Sequence, residues 1–282
     1  MKYYFLSTVT RILLGKLRKY HKGEPQLLVF SRDFIGEEVF AYGVYEKHDI
    51  ATIINSLDFD TRKHVILDIG ANIGNHTLQF SKHFKKVFSF EPNPLVFEVL
   101  KLNTRNLSNV ILHPFGLSNT SQILNLQVPE DNIGGGGITT KEDDSTQKIK
   151  VKRGDDVIFE DFSIMKIDIE GHELEAIIGF ENAIKKQKPI ICFEFINNSN
   201  KALKLIEKLK NLGYSNFYMT NQPKLLGFSV NSFTFQLLAQ LFSRKTNELI
   251  PLKKIDKKFY NLIIAENPSS ANRINKKKII NS

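Results

Sequence analysis

Cysteine is nearly absent from this 282-residue chain: Cys192 stands alone, in the apolar run Pro189 to Phe195 that reads as a buried strand. No disulfide framework can form, and a reducing cytoplasm is the simplest setting. Apolar runs long enough to cross a bilayer are also missing. Near the N-terminus only eight residues separate Lys2 from Arg11, against the ~20 that a spanning helix needs. A secretory signal is a poor fit because no small-residue cleavage site follows. Tyr3, Tyr4, Phe5, Val9, Ile12 and Leu13 suit instead an amphipathic helix, either lying on an anionic membrane or packed on the domain with its basic residues solvated.

Acidic residues are lacking at both ends. Residues 1–22 carry six basic and no acidic residues, 241–258 six basic and two acidic, and 272–282 four basic and none acidic. Together these segments hold +14 of a net +9, which leaves −5 for the rest. A mildly acidic body argues against a nucleic-acid groove through its centre. The basic flanks suit peripheral contact with the inner face of an anionic membrane.

What is present centres on His64 to Pro94, HVILDIGANIGNHTLQFSKHFKKVFSFEPNP. Val65 to Ile69 reads as a strand, broken at Gly70, Asn72 and Gly74, residue types that accept positive φ or close backbone approach. Ile73, Thr77, Phe80 and Phe84 recur at helical spacing, and Val87 to Phe90 forms the next strand, with Glu91 at its carboxyl end. In an open parallel sheet, ligands sit outside the carboxyl ends of the strands, and a carboxylate at the second strand suits a ribose diol. A dinucleotide fingerprint would need glycine at 70, 72 and 75. Asn72 and Asn75 occupy the last two, which counts against a nicotinamide-dependent oxidoreductase.

The pattern D-x-G-x-N-x-G followed by strand-E-P-N-P resembles S-adenosylmethionine (SAM) methyltransferases, specifically the FkbM family. Further elements follow in family order: Gly43 and Glu46 in YGVYE, Phe115 to Asn119 (FGLSN), Met165 to Glu173 (MKIDIEGHE) and Cys192 to Phe195 (CFEF). The resemblance implies a SAM site formed by Glu46, Asp68, Gly70, Asn72, Gly74, Asn75, Glu91, Pro92, Phe115, Gly116 and Asp168, with Asp168 beside the methionine half.

For a hydroxyl acceptor, methyl transfer needs alignment and removal of a proton. Asp168, His172 and Glu194 are the candidate catalytic residues; His172 is the better base by its ordinary pKa of about 6.5. Glu173 and Glu170 suit the helix N-terminus that follows. Glu194 in a buried strand calls for a ligand, a metal or a basic neighbour. No metal ligand set is assigned, because Asp168, Glu194 and His172 lack a tight motif spacing. His76 reads as a histidine facing solvent. Asp155 and Asp156 align with the family's L-D-D element, but Arg153-Gly154 replaces its usual approach, and they receive no role.

The expected fold is α/β: a doubly wound, Rossmann-like class I methyltransferase with a seven-stranded, mostly parallel sheet, helices on both faces and an antiparallel last strand. After the first two strands, the others fall at Val110–Pro114, Ile164–Ile169, Pro189–Phe195, Tyr214–Met219 and Phe259–Ala265, and Gly213 stops the amphipathic helix Lys201–Leu212. Residues 1–40 read as a basic, amphipathic extension and cap, 41–268 as the methyltransferase domain with an insertion at 221–258, and 269–282 as a basic tail. Pro129 to Thr146, with Gly134 to Gly137, reads as a mobile loop, serving as a lid or as a surface hairpin turn. The expected reaction is SAM-dependent O-methylation of a hydroxyl on a sugar, glycan or secondary metabolite; the alternatives are the oxidoreductase and a noncatalytic SAM-binding scaffold.

Overall fold

The computed structural model describes residues 2–20, 26–31, 33–129, 132–140, 146–158, 160–195, 200–220, 248–253, 255 and 260–280. Three helices come first: α1 (Lys2–Tyr20), α2 (Phe34–Tyr42) and α3 (Lys47–Ser56). The expected alternation follows as β1 (Val65–Ile69), α4 (Asn75–Phe80), β2 (Lys86–Phe90), α5 (Pro94–Thr104) and β3 (Val110–His113). Four short strands come next, β4 (Gly116–Ser118), β5 (Gln122–Gln127), β6 (Gly137–Thr139) and β7 (Thr146–Arg153). The chain then resumes as β8 (Ile164–Ile167), α6 (Glu173–Gly179), α7 (Glu181–Gln187), β9 (Ile190–Phe195), α8 (Asn200–Asn211), β10 (Asn216–Thr220), β11 (Leu249–Pro251) and β12 (Tyr260–Glu266).

The main sheet has the order β11-β10-β12-β9-β8-β1-β2-β3. β1 pairs in parallel with β2 on one side and β8 on the other, so chain order reverses at the carboxyl ends of β1 and β8. That reversal opens the crevice in which doubly wound sheets bind ligands. β12 runs antiparallel to both β9 and β10. Seven strands are as expected; the short edge strand β11, antiparallel to β10, is an eighth.

Every residue of β1 is buried, the signature of a strand covered on both faces. Leu67, Phe90, Ile167 and Phe193 meet α6 and α8 on one face through Ile177 and Leu209. Ile66, Val87, Ile164 and Cys192 meet α3 and α4 on the other through Ile53 and Phe80. Asn93 caps α5, accepting from the backbone N–H of Leu95 at 3.1 Å, with Pro94 in the first helical turn.

Two expectations are corrected. The stretch between β3 and β8 is not strandless: β4, β7, β5 and β6 form a second, four-stranded sheet in that order. Within the stretch read as a lid or a surface hairpin turn, Gly137–Thr139 is a strand that pairs antiparallel with β5, which fits the hairpin reading. The basic C-terminal segment lies against the body. Ile274 is buried, Asn275 N–H donates to Ser56 O at 2.7 Å, and Ile280 N–H donates to Leu249 O at 2.9 Å. Of the insertion at 221–258, the apolar run Phe233 to Phe242 lies outside the described residues.

Candidate functional site

The β1–α4 turn sets the geometry of the crevice. Gly70 has φ +78°, and a Cβ there would stand 1.8 Å from the carbonyl oxygen of Asp168; backbone alone fits between β1 and β8. The Gly70 and Ala71 N–H groups both donate to Phe90 O, at 3.1 and 3.0 Å. Asn72, at φ 50°, donates its N–H to Glu91 Oε2 at 2.9 Å. Asn93 N–H donates to the other oxygen of Glu91 at 2.9 Å. Burial pushes the Glu91 carboxyl up to about 7, against the pull of those two donors.

A second wall comes from the segment before β1. Asn75 clasps Tyr45 at both backbone groups, donating to its O at 2.8 Å and accepting from its N at 3.1 Å. Glu46 lies 3.2 Å from His76 Nε2. Burial works against its charge, yet hydrogen bonding from His76 and the fields of His76 and Lys166 hold Glu46 below the ordinary carboxylate value. His76 therefore does not face solvent: it is buried, stacks on Tyr45 at 6.3 Å and lines the cavity.

Across the crevice stand the groups of β8, the turn after it, and β9. Lys166 is buried, donates to Gly70 O at 3.0 Å, and sits 3.3 Å from Asp168 and 3.5 Å from Asp68. Although burial disfavours its charge, Asp168 and Asp68 keep its pKa above the ordinary lysine value. Glu170, at φ 52°, lines the cavity and is pushed up to about 7 by burial and by Asp168. It does not serve the helix N-terminus as expected. Glu173 opens α6 and ties the turn before it, accepting from Gly171 N–H at 3.0 Å and Ile169 N–H at 3.3 Å.

His172 is buried, with Nε2 2.9 Å from Ser118 Oγ and Nδ1 3.7 Å from Glu175. Burial lowers its pKa below the ordinary histidine value, opposed by the Glu175 carboxylate. Glu194 lines the same cavity, and burial followed by the neighbouring Asp168 and Glu170 pushes it up to about 8. No hydrogen bond or ion pair joins it to a described residue.

The structure therefore brings Glu46, Gly70, Asn72, Asn75, Glu91 and Pro92 into one cavity wall, with Gly116, Asp168, His172 and Glu194 facing them. Three expected contacts fall outside it. Asp68 is fully buried behind the turn, accepting from Thr77 Oγ1 at 2.6 Å and facing Lys166. Gly74 caps α4 at φ +92°, and a Cβ there would meet Leu100 of α5 at 2.8 Å, so its place is in helix packing. Phe115 packs in the core against His113 and Phe90, with Lys152 over its ring at 4.3 Å. Asp155 accepts from the N–H groups of Asn182 and Ala183 at the start of α7.

Sequence reasoning missed several lining groups: Lys166, Tyr45, Phe34, and the β5–β6 connection that covers Asn72 through a 3.2 Å bond from Asn72 Nδ2 to Gly134 O. The lysine left a signal, a charge inside the apolar run IMKI, which burial obliges to be paired. Three of the four described non-glycine residues with positive φ, namely Glu46, Asn72 and Glu170, line this one cavity. Strain of that kind concentrates where a site must be held in one geometry.

A seven-strand doubly wound core whose glycine turn and second-strand carboxylate meet at the switch point is the architecture of a class I methyltransferase. The model of the methyltransferase FkbM domain matches residues 68–215, more than half of the chain, and the chain belongs to that family. It is 33% identical over 132 residues to the hexuronic acid methyltransferase AglP of Haloferax volcanii, a match covering 45% of this chain and 54% of that protein. The chain thus spans about half the length of this curated relative. Among solved structures it is similar to a methyltransferase FkbM from Methylobacillus flagellatus, with 19% identity, TM-score 0.44, and 74% of this chain and 56% of that one covered. Another is a precorrin-6y C5,15-methyltransferase from Geobacter metallireducens, with 16% identity, TM-score 0.41, and 84% and 100% covered. Family membership sets aside the oxidoreductase reading.

Proposed function

We propose that this protein is a SAM-dependent methyltransferase that methylates a hydroxyl of a sugar or glycan. The observation that carries the reading is the convergence of the Gly70–Asn72 turn, Glu91 and the Asp168, Glu170 and Glu194 carboxylates on one cavity at the switch point. The sugar acceptor is supported by the relative from Haloferax volcanii, whose name gives hexuronic acid.

The residues fit the cofactor on two grounds. The turn presents the backbone of Gly70 to the cavity, with no side chain at that position because the Asp168 carbonyl takes its place, and a cluster of carboxylates suits a molecule carrying a sulfonium and an ammonium. When bound, SAM supplies an activated methyl for in-line displacement. Glu91, with one lone pair of each oxygen taken by a backbone donor, has the others free for the two ribose hydroxyls. Asp168, held by Lys166, stands toward the methionine half.

Asp168, Glu194 and His172 frame the acceptor side. Both ring nitrogens of His172 already face partners, Ser118 and Glu175. Asp168 is tied to Lys166. Glu194 has no such tie, and a carboxyl held at about 8 is a stronger base than an ordinary one once ionised. We therefore assign to Glu194 the acceptance of the hydroxyl proton, with His172, held by Ser118 and Glu175, forming the wall beside it.

Calorimetric titration tests the cofactor half of this reading. SAM and S-adenosylhomocysteine should bind and NAD should not. Glu91→Ala should weaken SAM binding by about ten- to hundredfold, the value of one charged hydrogen-bonding group. Equal affinity in the variant removes Glu91 from the cofactor site; absence of any SAM binding overturns the SAM-dependent reading altogether.

A further inference from the structure

The N-terminal helices leave an apolar surface open beside the cavity mouth. Among the described residues, nine of the fourteen exposed large hydrophobic side chains belong to residues 1–42. In α1, Phe5, Val9, Ile12 and Leu13 recur at helical spacing on one side, with Phe5 70% and Ile12 55% exposed. A helix with such a stripe is ordinarily stabilised by burying it. Here α1 packs against α2, and the stripe stays uncovered.

Charge defines what can cover it. The sequence of α1 carries no acidic residue, and among its described side chains Arg11, Lys16 and Lys19 are exposed, so the surface combines exposed aromatic and aliphatic groups with cations. That combination is complementary to an anionic bilayer, which accepts apolar side chains at its headgroup boundary and attracts each nearby Lys or Arg. No helix among the described residues is long and apolar enough to cross a membrane, so contact here is peripheral. α2 continues the surface: Phe34 and Phe40 are both more than half exposed. Phe34 also lines the cavity and stands edge-on to Tyr45 at 6.1 Å, so the open surface runs into the rim of the candidate active site.

We propose that α1 and α2 dock this protein on an anionic membrane surface and present the Phe34 rim of the cavity to an acceptor held at that surface. The docking stands on exposure and charge alone. The membrane-held acceptor, a glycan carried on a lipid, rests on the methyl-transfer reading above.

Co-sedimentation of the full chain with vesicles of phosphatidylglycerol and phosphatidylcholine in equal parts, against vesicles of phosphatidylcholine alone, tests the docking. The protein should pellet with the anionic vesicles and stay in the supernatant with the neutral ones. Phe5→Glu/Ile12→Glu should lower the pelleted fraction about tenfold or more while leaving the circular dichroism spectrum and the SAM titration unchanged. Failure to pellet with anionic vesicles, or equal pelleting of the double variant, overturns the proposal. So does a dimer in analytical ultracentrifugation that the same substitutions dissolve without any vesicle binding, since a second copy would then be what covers the stripe. Vesicle binding without SAM binding keeps the docking and removes the methyl-transfer reading; SAM binding without vesicle binding removes the docking alone.

Discussion

Lys166 shows how a single residue ties the fold to the site. Its ammonium is buried and lies between Asp68, Asp168 and the carbonyl of Gly70, so one cation fixes both β1 and β8 at the point where the crevice opens. Removing one partner of a buried charged set is costly because the remaining charge loses its compensation. Lys166→Met should therefore destabilise the protein by about 3–5 kcal/mol, measured by urea denaturation, and Asp68→Asn in the same background should recover part of the loss. Wild-type stability in Lys166→Met would show that the triad carries no weight. At this scale the sequence was partly legible. Glu91, Asn72 and Asp168 could be placed by their positions at strand ends. Asp68 could not, because position at a strand end does not tell whether a side chain faces the crevice or the packing behind it, and here it meets Thr77 and Lys166.

Elements behave according to how strongly their residues constrain the backbone. β1, β2, β8 and β9 were legible because continuous apolar runs describe strands buried on both faces; their observed ends fall within two residues of those expected. The second sheet was missed for the opposite reason. β4 and β6 have three residues each, and β6 starts on the last of four glycines. Only β7 carried a signal, in the alternation of buried Ile149 and Val151 with exposed Lys148, Lys150 and Lys152. The β1–α4 turn is the most constrained element of the site, since a methyl group at Gly70 would fall on the backbone of Asp168. Gly70→Ala should cost about 3 kcal/mol or more by prising β1 from β8, read as a lowered denaturation midpoint together with loss of SAM binding. An unchanged midpoint would mean the turn relaxes freely.

On the scale of the whole molecule, charge divides the sequence into a mildly acidic remainder that supplies the carboxylate-lined cavity and three basic segments, 1–22, 241–258 and 272–282. The cavity rim reaches α2 at Phe34, and α2 is the helix against which α1 packs with its apolar stripe exposed; the sequence suggested only an amphipathic helix. The mostly parallel sheet with its antiparallel last strand and the family were legible through the resemblance the motifs carry; how the terminal segments lie on the body was not, because their packing depends on contacts distant in sequence, such as Asn275 with Ser56.

Mass spectrometry of a glycan extract incubated with the protein and isotopically labelled SAM tests whether a methyl group passes to a hydroxyl. A glycan should gain a labelled methyl as a base-stable ether, with S-adenosylhomocysteine formed in equal amount and both products lost in Glu194→Gln. A protein that binds SAM yet labels no glycan hydroxyl, or that labels one equally well in Glu194→Gln, would contradict the proposed function.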